Sequence, residues 1–262
     1  MQSAIHIEFG CKPTMKNTYI FAHRGANKEA PENTRSAFDK ALAYPIDGME
    51  TDIQLTRDEV CVLWHDRFLN KVGLPDKYID DYDYAQLREM NVGAHFSSEK
   101  PFESVMNLNE FLDAYRTRCQ LLLEIKNREW ESPERHQIKV RQTLDRVGVT
   151  HDDRILVSSF NLTSLIYGHQ YRPDALLVYN FEDDQTIDDA KRVLDEQPYL
   201  HGLCLPISSL NQAMVEFLGD QRKCIAVYTC NSDQEINLAL ELGVNILISD
   251  IPQRALQLKE LR

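Results

Sequence analysis

The sequence has no long hydrophobic run and no cluster of basic residues. No apolar stretch in its 262 residues approaches the ~20 residues that a membrane-spanning helix requires. Residues 1–8 lack the charged start and apolar core of a signal peptide. Lys and Arg number 29 against 41 Asp and Glu, a formal net charge of -12, which argues against binding to nucleic acid or to an anionic membrane. We therefore expect a cytoplasmic protein with no transmembrane segment.

The sequence also lacks CxxC pairs and flexible linkers. Its six cysteines are scattered, most of them in apolar strand-like runs, which predicts buried reduced thiols rather than disulfides. A hydrophobic composition of 43% over this length suits either one α/β barrel or two ordinary domains. No Pro/Gly/Ser-rich stretch divides the chain, so we predict a single domain over residues 1–262, with the first eighteen residues forming a short strand or plug.

Short runs rich in Val, Ile and Leu alternate with longer stretches of helical period. The predicted strands are Tyr19–His23, Gly48–Ile53, Leu121–Lys126, Ile155–Ser159, Ala175–Asn180, Gly202–Pro206, Lys223–Thr229 and Asn245–Ser249. Helices are predicted between them, with N-terminal caps at Asn33, Asn107, Ser132, Asn161, Ser209 and Ser232. Eight such units predict an α/β protein, a single (β/α)8 TIM barrel. The rhythm breaks over residues 66–106, which predicts a small insertion after strand 2, next to an extra strand at Cys61–Trp64.

The densest chemistry begins near Phe21 and consists of five short motifs. In chain order these are His23-Arg24-Gly25, Pro31-Glu32-Asn33-Thr34, Glu50-Thr51-Asp52, His65-Asp66 and Glu124-Ile125-Lys126. Their order resembles the signature of the glycerophosphodiester phosphodiesterase family, and residues 227–231 and 246–252 are similar to its closing strands. The resemblance implies a TIM barrel that hydrolyses glycerophosphodiesters to glycerol 3-phosphate and an alcohol. In such a barrel the strand C-termini form the site.

Three carboxylates in these motifs are candidate metal ligands. Glu50 and Asp52 are two residues apart on a predicted strand and so share a face, and Glu124 ends another predicted strand. Hard oxygen ligands suit one divalent cation, Mg²⁺ or Ca²⁺, rather than zinc. The alternative is that Arg24 or Lys126 neutralises them in structural ion pairs. Three clustered carboxylates without a cation would raise one another's pKa values, which favours the metal.

Two histidines are the candidate acid and base. Cleaving a phosphodiester near neutral pH requires one proton to be removed and another delivered, and His23 and His65 each lie in one of the motifs. Arg24 and Lys126 are candidates for holding phosphate oxygens, with a plain salt bridge to a carboxylate as the alternative for each. Glu32 and Asn33 are expected to support the site from behind.

Phe160 and Tyr228 are candidates for an apolar wall beside the glycerol backbone, although core aromatics would look the same in the sequence. Two departures from the family pattern affect specificity: the family usually has Trp where Tyr228 stands, and often Arg-Thr-Thr where residues 68–72 stand. Alternative functions are a lysophospholipase D-type or other phosphodiester hydrolase, and a non-catalytic barrel that binds a phosphorylated metabolite. No feature of the sequence favours a particular oligomeric state.

Overall fold

A computed structural model describes residues 18–96, 102–147 and 154–262. The strands are β1 Tyr19–His23, β2 Gly48–Leu55, β3 Cys61–Leu63, β4 Gln120–Ile125, β5 Ile155–Ser159, β6 Leu177–Asn180, β7 Gly202–Pro206, β8 Cys224–Tyr228 and β9 Ile246–Ser249. The α-helices of the same ranges are α1 Arg35–Ala41, α2 Tyr84–Arg88, α3 Leu108–Tyr115, α4 Pro133–Val147, α5 Leu162–Tyr171, α6 Ile187–Glu196, α7 Gln212–Asp220, α8 Asp233–Leu242 and α9 Pro252–Glu260. The plug predicted at the N-terminus lies almost wholly outside the described residues.

Eight of these strands form a closed parallel barrel. The sheet runs in the order β1-β9-β8-β7-β6-β5-β4-β2-β3, and β1 also pairs with β2 to close the ring. β3 pairs antiparallel with β2 outside the ring. Helices lie between the barrel strands, so the predicted (β/α)8 TIM barrel is confirmed. The parallel direction of the strands brings all their C-terminal ends to one face.

The core has two layers because successive side chains of a strand point to opposite faces of the sheet. Side chains inside the barrel form one apolar cluster: Phe21, Leu122, Leu156, Val178, Cys204, Cys224, Ala226, Ile246 and Ile248. A larger cluster fills the space between the sheet and the helices. The five described cysteines, at positions 61, 119, 204, 224 and 230, are buried as free thiols. The barrel interior is therefore largely apolar, and the predicted site residues lie towards its C-terminal face.

Most predicted elements match the structure within two residues, but two helix caps were predicted wrongly. Thr34, not Asn33, caps α1, with its hydroxyl accepting from the backbone of Ala37. Asn211, not Ser209, caps α7, because a short 3-10 helix precedes it. Asn33 instead has φ 56° and turns its side chain towards β2. Helix-capping residue types lie side by side at both places, and local sequence did not select the correct one.

The segment that breaks the strand–helix rhythm has a small core of its own. β3, α2 and two 3-10 helices surround a separate apolar cluster of Val62, Trp64, Leu69, Ile79, Leu87, Val92 and Val105. This segment lies beside the C-terminal end of β2. An insertion spanning residues 66–106 within one domain over residues 1–262 stays a prediction. Within the described ranges, no helix is both long and apolar enough to span a membrane.

Candidate active site

A cavity of about 170 Å³ opens at the C-terminal face of the barrel. Eight of the nine predicted site residues line it: His23, Arg24, Glu50, His65, Glu124, Lys126, Phe160 and Tyr228. Asp52 lies directly beside them, fully buried, and its register partner across β2 and β4 is Glu124. The structure therefore brings every predicted site residue to one place.

The three carboxylates form a compact buried cluster. Glu50, Asp52 and Glu124 each offer an oxygen atom, and these atoms lie within 4.8 Å of one another. Burial and the charge of Asp52 raise the pKa of Glu50 well above its usual value. Among the described residues, no lysine or arginine side chain forms an ion pair with Glu50. A divalent cation bound by these hard oxygens would offset the repulsion, so the donor set fits Mg²⁺ or Ca²⁺.

Two cations lie against Asp52. The Lys126 Nζ is 2.9 Å from Asp52 Oδ1 and 2.6 Å from Glu124 Oε1. The Arg24 Nε is 3.1 Å from Asp52 Oδ2. Burial favours a higher pKa for Asp52, but the charges of Lys126 and Arg24 outweigh it and hold that pKa well below its usual value. Burial lowers the pKa of Lys126, yet the two carboxylates raise it to about 12. Both cations are thus charged and lie at the cavity wall.

The turn after β1 is built to place Arg24. Arg24 and Gly25 both have positive φ, 56° and 80°, and such strain in a residue other than glycine is concentrated at functional sites. A Cβ atom on Gly25 would lie 2.6 Å from the backbone of Ala37, so no larger residue fits. The backbone N–H of Arg24 donates to the Glu50 backbone oxygen at 3.0 Å, which ties the turn to β2.

His23 is held by an aspartate that the sequence analysis did not single out. Its Nδ1 is 2.6 Å from Asp250 Oδ1, while its Nε2 is 3.8 Å from Glu50 Oε2. Burial lowers the pKa of His23, with the hydrogen bond to Asp250 acting in the opposite direction. Asp250 directly follows the C-terminal end of β9, so the rule that strand ends carry function could have identified it.

His65 lies on the loop after β3, outside the barrel wall. Its Nδ1 is 3.1 Å from Asp66 Oδ1, and Lys71 Nζ is 2.9 Å from Asp66 Oδ2. Lys71 also contacts Glu32 at 2.7 Å. Each of the two candidate acid–base histidines therefore has a carboxylate at Nδ1, which leaves its Nε2 for proton transfer.

Two side chains that the sequence analysis missed hold the backbone of the His65 loop. Gln54, buried on β2, donates through Nε2 to the carbonyl oxygens of Trp64 and Asp66, both at 2.9 Å. Arg128 donates to the His65 oxygen at 2.5 Å, to the Asp66 oxygen at 3.2 Å and to Gln54 Oε1 at 3.2 Å. This clamp links the loop after β4 to the loop that carries His65.

Aromatic side chains line the cavity and its surroundings. Phe160 and Tyr228 meet edge to face, with ring centroids 5.8 Å apart, and Lys126 Nζ lies 5.9 Å from the Phe160 centroid. The Tyr228 hydroxyl donates to the Phe181 carbonyl oxygen at 2.5 Å. Both predicted aromatics thus reach the cavity together. Asn33, behind Asp52, donates to Oδ2 of that carboxylate at 3.0 Å.

Comparison with known proteins gives a consistent result. Residues 23–254 match the model of the family described as "Glycerophosphoryl diester phosphodiesterase family". A glycerophosphodiester phosphodiesterase of Bacillus altitudinis is 30% identical over 246 residues, which cover 93% of this chain and 98% of the relative. An Oleispira antarctica phosphodiesterase, solved in complex with the product sn-glycerol-3-phosphate, is 24% identical with a TM-score of 0.79, covering 93% and 97% of the two chains. A Thermotoga maritima glycerophosphodiester phosphodiesterase is 21% identical with a TM-score of 0.74, covering 92% and 98%.

Proposed function

Because this chain belongs to the glycerophosphoryl diester phosphodiesterase family, a family of phosphoric diester hydrolases, we propose that it hydrolyses glycerophosphodiesters to glycerol 3-phosphate and an alcohol. One observation carries the proposal: two histidines, three carboxylates and two cations converge on one cavity at the C-terminal face of the barrel. The product named for the Oleispira antarctica relative supports the substrate class.

Glu50, Asp52 and Glu124 would hold one divalent cation, Mg²⁺ or Ca²⁺. When bound, such a cation neutralises charge on the phosphate and polarises its oxygens. Arg24 and Lys126 add two fixed positive charges at the same wall, where burial strengthens their attraction for phosphate oxygens. Substrate anion is thereby attracted to a protein whose formal net charge is -12.

One of His23 and His65 removes a proton from the attacking oxygen, which belongs to water or to the substrate's own 2-hydroxyl, and the other delivers a proton to the departing alcohol. When the 2-hydroxyl attacks, water then opens the cyclic phosphate to give glycerol 3-phosphate. Asp250 and Asp66 hold Nδ1 of the two rings, which fixes the tautomer and directs Nε2 to the reacting atoms. Each carboxylate also stabilises the imidazolium that forms when its histidine has accepted a proton. Gln54 and Arg128 keep the His65 loop in place by holding its carbonyl groups.

Phe160 and Tyr228 form an apolar wall for the carbon chain of glycerol. The inserted segment beside β2 selects the alcohol portion, because it carries its own core and borders the loop of His65. At its edge, Trp130 packs on Tyr78 with centroids 4.2 Å apart, and Arg67 lies 4.9 Å from the Trp130 ring.

The direct test is incubation of the purified protein with glycerophosphocholine and a divalent cation, followed by measurement of choline and glycerol 3-phosphate. We expect both products in equal amounts, and none from His23→Ala or His65→Ala within the same time. Turnover of lysophosphatidylcholine in preference to glycerophosphocholine would instead indicate a lysophospholipase D-type enzyme. Binding of glycerol 3-phosphate without any turnover would indicate a non-catalytic barrel.

A further inference from the structure

Two buried polar groups on residues that line the cavity have no hydrogen-bond partner in the described part of the chain. They are the Ser158 Oγ and the Asn180 Oδ1, on residues that are 1% and 4% exposed. Both residues line the cavity that contains His23 and Glu124. Buried polar atoms are nearly always hydrogen-bonded, because an unmet donor or acceptor costs free energy. Their partner is therefore to be sought inside the cavity.

The placement of these groups follows from the strand register. Ser158 on β5 pairs with Val178 on β6, two residues before Asn180, so both polar side chains project into the barrel at neighbouring levels. Ser159 points to the other face and is satisfied, donating to the Ile125 oxygen at 2.8 Å and accepting from the Asn161 backbone. Of these two neighbouring serines, only the inward-facing Ser158 lacks a partner among the described residues.

Three further residues that line the cavity are apolar. Leu122, Cys204 and Ile248 line it, and each is 1% or 2% exposed. A ligand that fits here needs hydrocarbon to pack on these side chains and neutral hydrogen-bonding groups to meet a hydroxyl and an amide oxygen.

We propose that Ser158 and Asn180 bind the free hydroxyl groups of the substrate's glycerol moiety. This subsite deepens the proposed function and rests on it. A glycerol hydroxyl donates to Asn180 Oδ1, while Ser158 Oγ donates to or accepts from a second hydroxyl. The cavity wall formed by β5 and β6 takes the glycerol part, which all glycerophosphodiesters share. The variable alcohol then points towards the half-exposed His65 and the inserted segment.

Comparison of two monoester ligands tests the subsite without relying on catalysis. Dissociation constants of glycerol 3-phosphate and of propyl phosphate, which lacks both hydroxyls, are measured calorimetrically with the same divalent cation present. The wild-type protein should prefer glycerol 3-phosphate. Ser158→Ala and Asn180→Leu should each reduce that preference by about 3- to 10-fold, the range of one neutral hydrogen bond. Affinity for propyl phosphate should change much less.

Ser159→Ala is the matched control, since it makes the same change one residue away on the outer face. It should lower the melting temperature while keeping the wild-type ligand preference, whereas Ser158→Ala should leave the melting temperature unchanged or raised. Equal affinity of the wild-type protein for both ligands, no binding of glycerol 3-phosphate, or an unchanged preference in both inward variants would overturn the subsite. If the wild-type protein prefers glycerol 3-phosphate but does not turn over glycerophosphocholine, the proposed function is refuted and the subsite stands.

Discussion

Replacing Asp250 with Asn tests how the site controls His23, because the change removes a charge and keeps the shape. Every polar neighbour of this carboxylate donates to it. The donors are His23 Nδ1 at 2.6 Å, Asn27 Nδ2 at 2.6 Å, Asn231 Nδ2 at 2.9 Å and Lys28 Nζ at 3.2 Å. Burial favours a higher pKa for Asp250, but these contacts, led by His23, hold it well below its usual value. The group is therefore an ionised carboxylate that only accepts.

An amide has one accepting oxygen, so Asn at position 250 satisfies only one side of this arrangement. If the oxygen faces His23 and Asn27, the new NH₂ group meets Asn231 and Lys28. If it is flipped, the NH₂ group faces His23 Nδ1, which moves the ring proton to the Nε2 that points into the cavity. The first arrangement costs about 1 to 3 kcal/mol of unfolding free energy for the unmet donors. The second removes the basic nitrogen, and we expect turnover to fall by about 10² to 10⁴.

The assay is the turnover number for glycerophosphocholine at saturating substrate, with ¹⁵N NMR of the histidine rings to identify the tautomer of His23. Asp233→Asn is the matched control, because Asp233 pairs with Arg254 at 2.5 Å on the exposed surface. Such an exposed pair contributes little to stability because solvent screens it, so the control should keep full turnover. A folded Asp250→Asn protein with wild-type turnover and an unchanged tautomer would refute this reasoning.

Three other changes give separate tests. His65→Ala should lower turnover by about 10² to 10⁴ with little change in binding of glycerol 3-phosphate; loss of binding with turnover retained would reassign it to phosphate recognition. Arg128→Ala should lower the turnover number by about 10-fold or more at unchanged KM, because misplacement of His65 slows the chemistry. A lower melting temperature with an unchanged turnover number would instead show that Arg128 has a structural role alone. Glu131 accepts from Lys139 Nζ at 2.6 Å and lies 3.0 Å from His136 Nδ1. Burial favours a higher pKa for Glu131, but these two neighbours outweigh it and hold that pKa below its usual value. The stabilisation that this carboxylate supplies is therefore full above the ordinary glutamate pKa of about 4.3 and is lost as pH falls through its lower folded value. Glu131→Gln should accordingly lower the melting temperature more at pH 6 than at pH 3, and an equal loss at both would contradict this.

The barrel could be predicted from sequence because its signals are local. Three strands, β1, β5 and β7, have the same bounds in prediction and structure, since each is a short, mainly apolar run that ends at polar or turn-forming residues. The motifs around Glu50 and Glu124 were equally readable, because strand-end position and residue type both pointed to the site. Even so, the alternation of side chains along a strand shows only which residues share a face. Which face points into the barrel follows once the register with the neighbouring strands is known.

The parts that could not be predicted depend on contacts between distant segments. His23 and Asp250 are 227 positions apart, and Arg128 reaches the His65 carbonyl across 63 positions. No local periodicity carries such a pairing. The same applies to Ser158, whose lack of a partner is visible only when the whole barrel wall is in place. Asn33 was wrongly predicted to cap α1, although it was also expected to support the site, and its side chain donates to the buried Asp52 carboxylate.

The most direct test of the central claim is turnover of glycerophosphocholine by chelator-treated protein before and after Mg²⁺ or Ca²⁺ is added back. The ligand atoms of Glu50, Asp52 and Glu124 lie within 4.8 Å of one another. We therefore expect no turnover in chelator and recovery of turnover with at least one of the two ions. The Glu124→Gln variant should not recover. Calorimetric titration of the same ion should show one site in the wild-type protein and much weaker binding in the variant. Full turnover in chelator, or recovery of Glu124→Gln to the wild-type rate at the same ion concentration, would contradict the account.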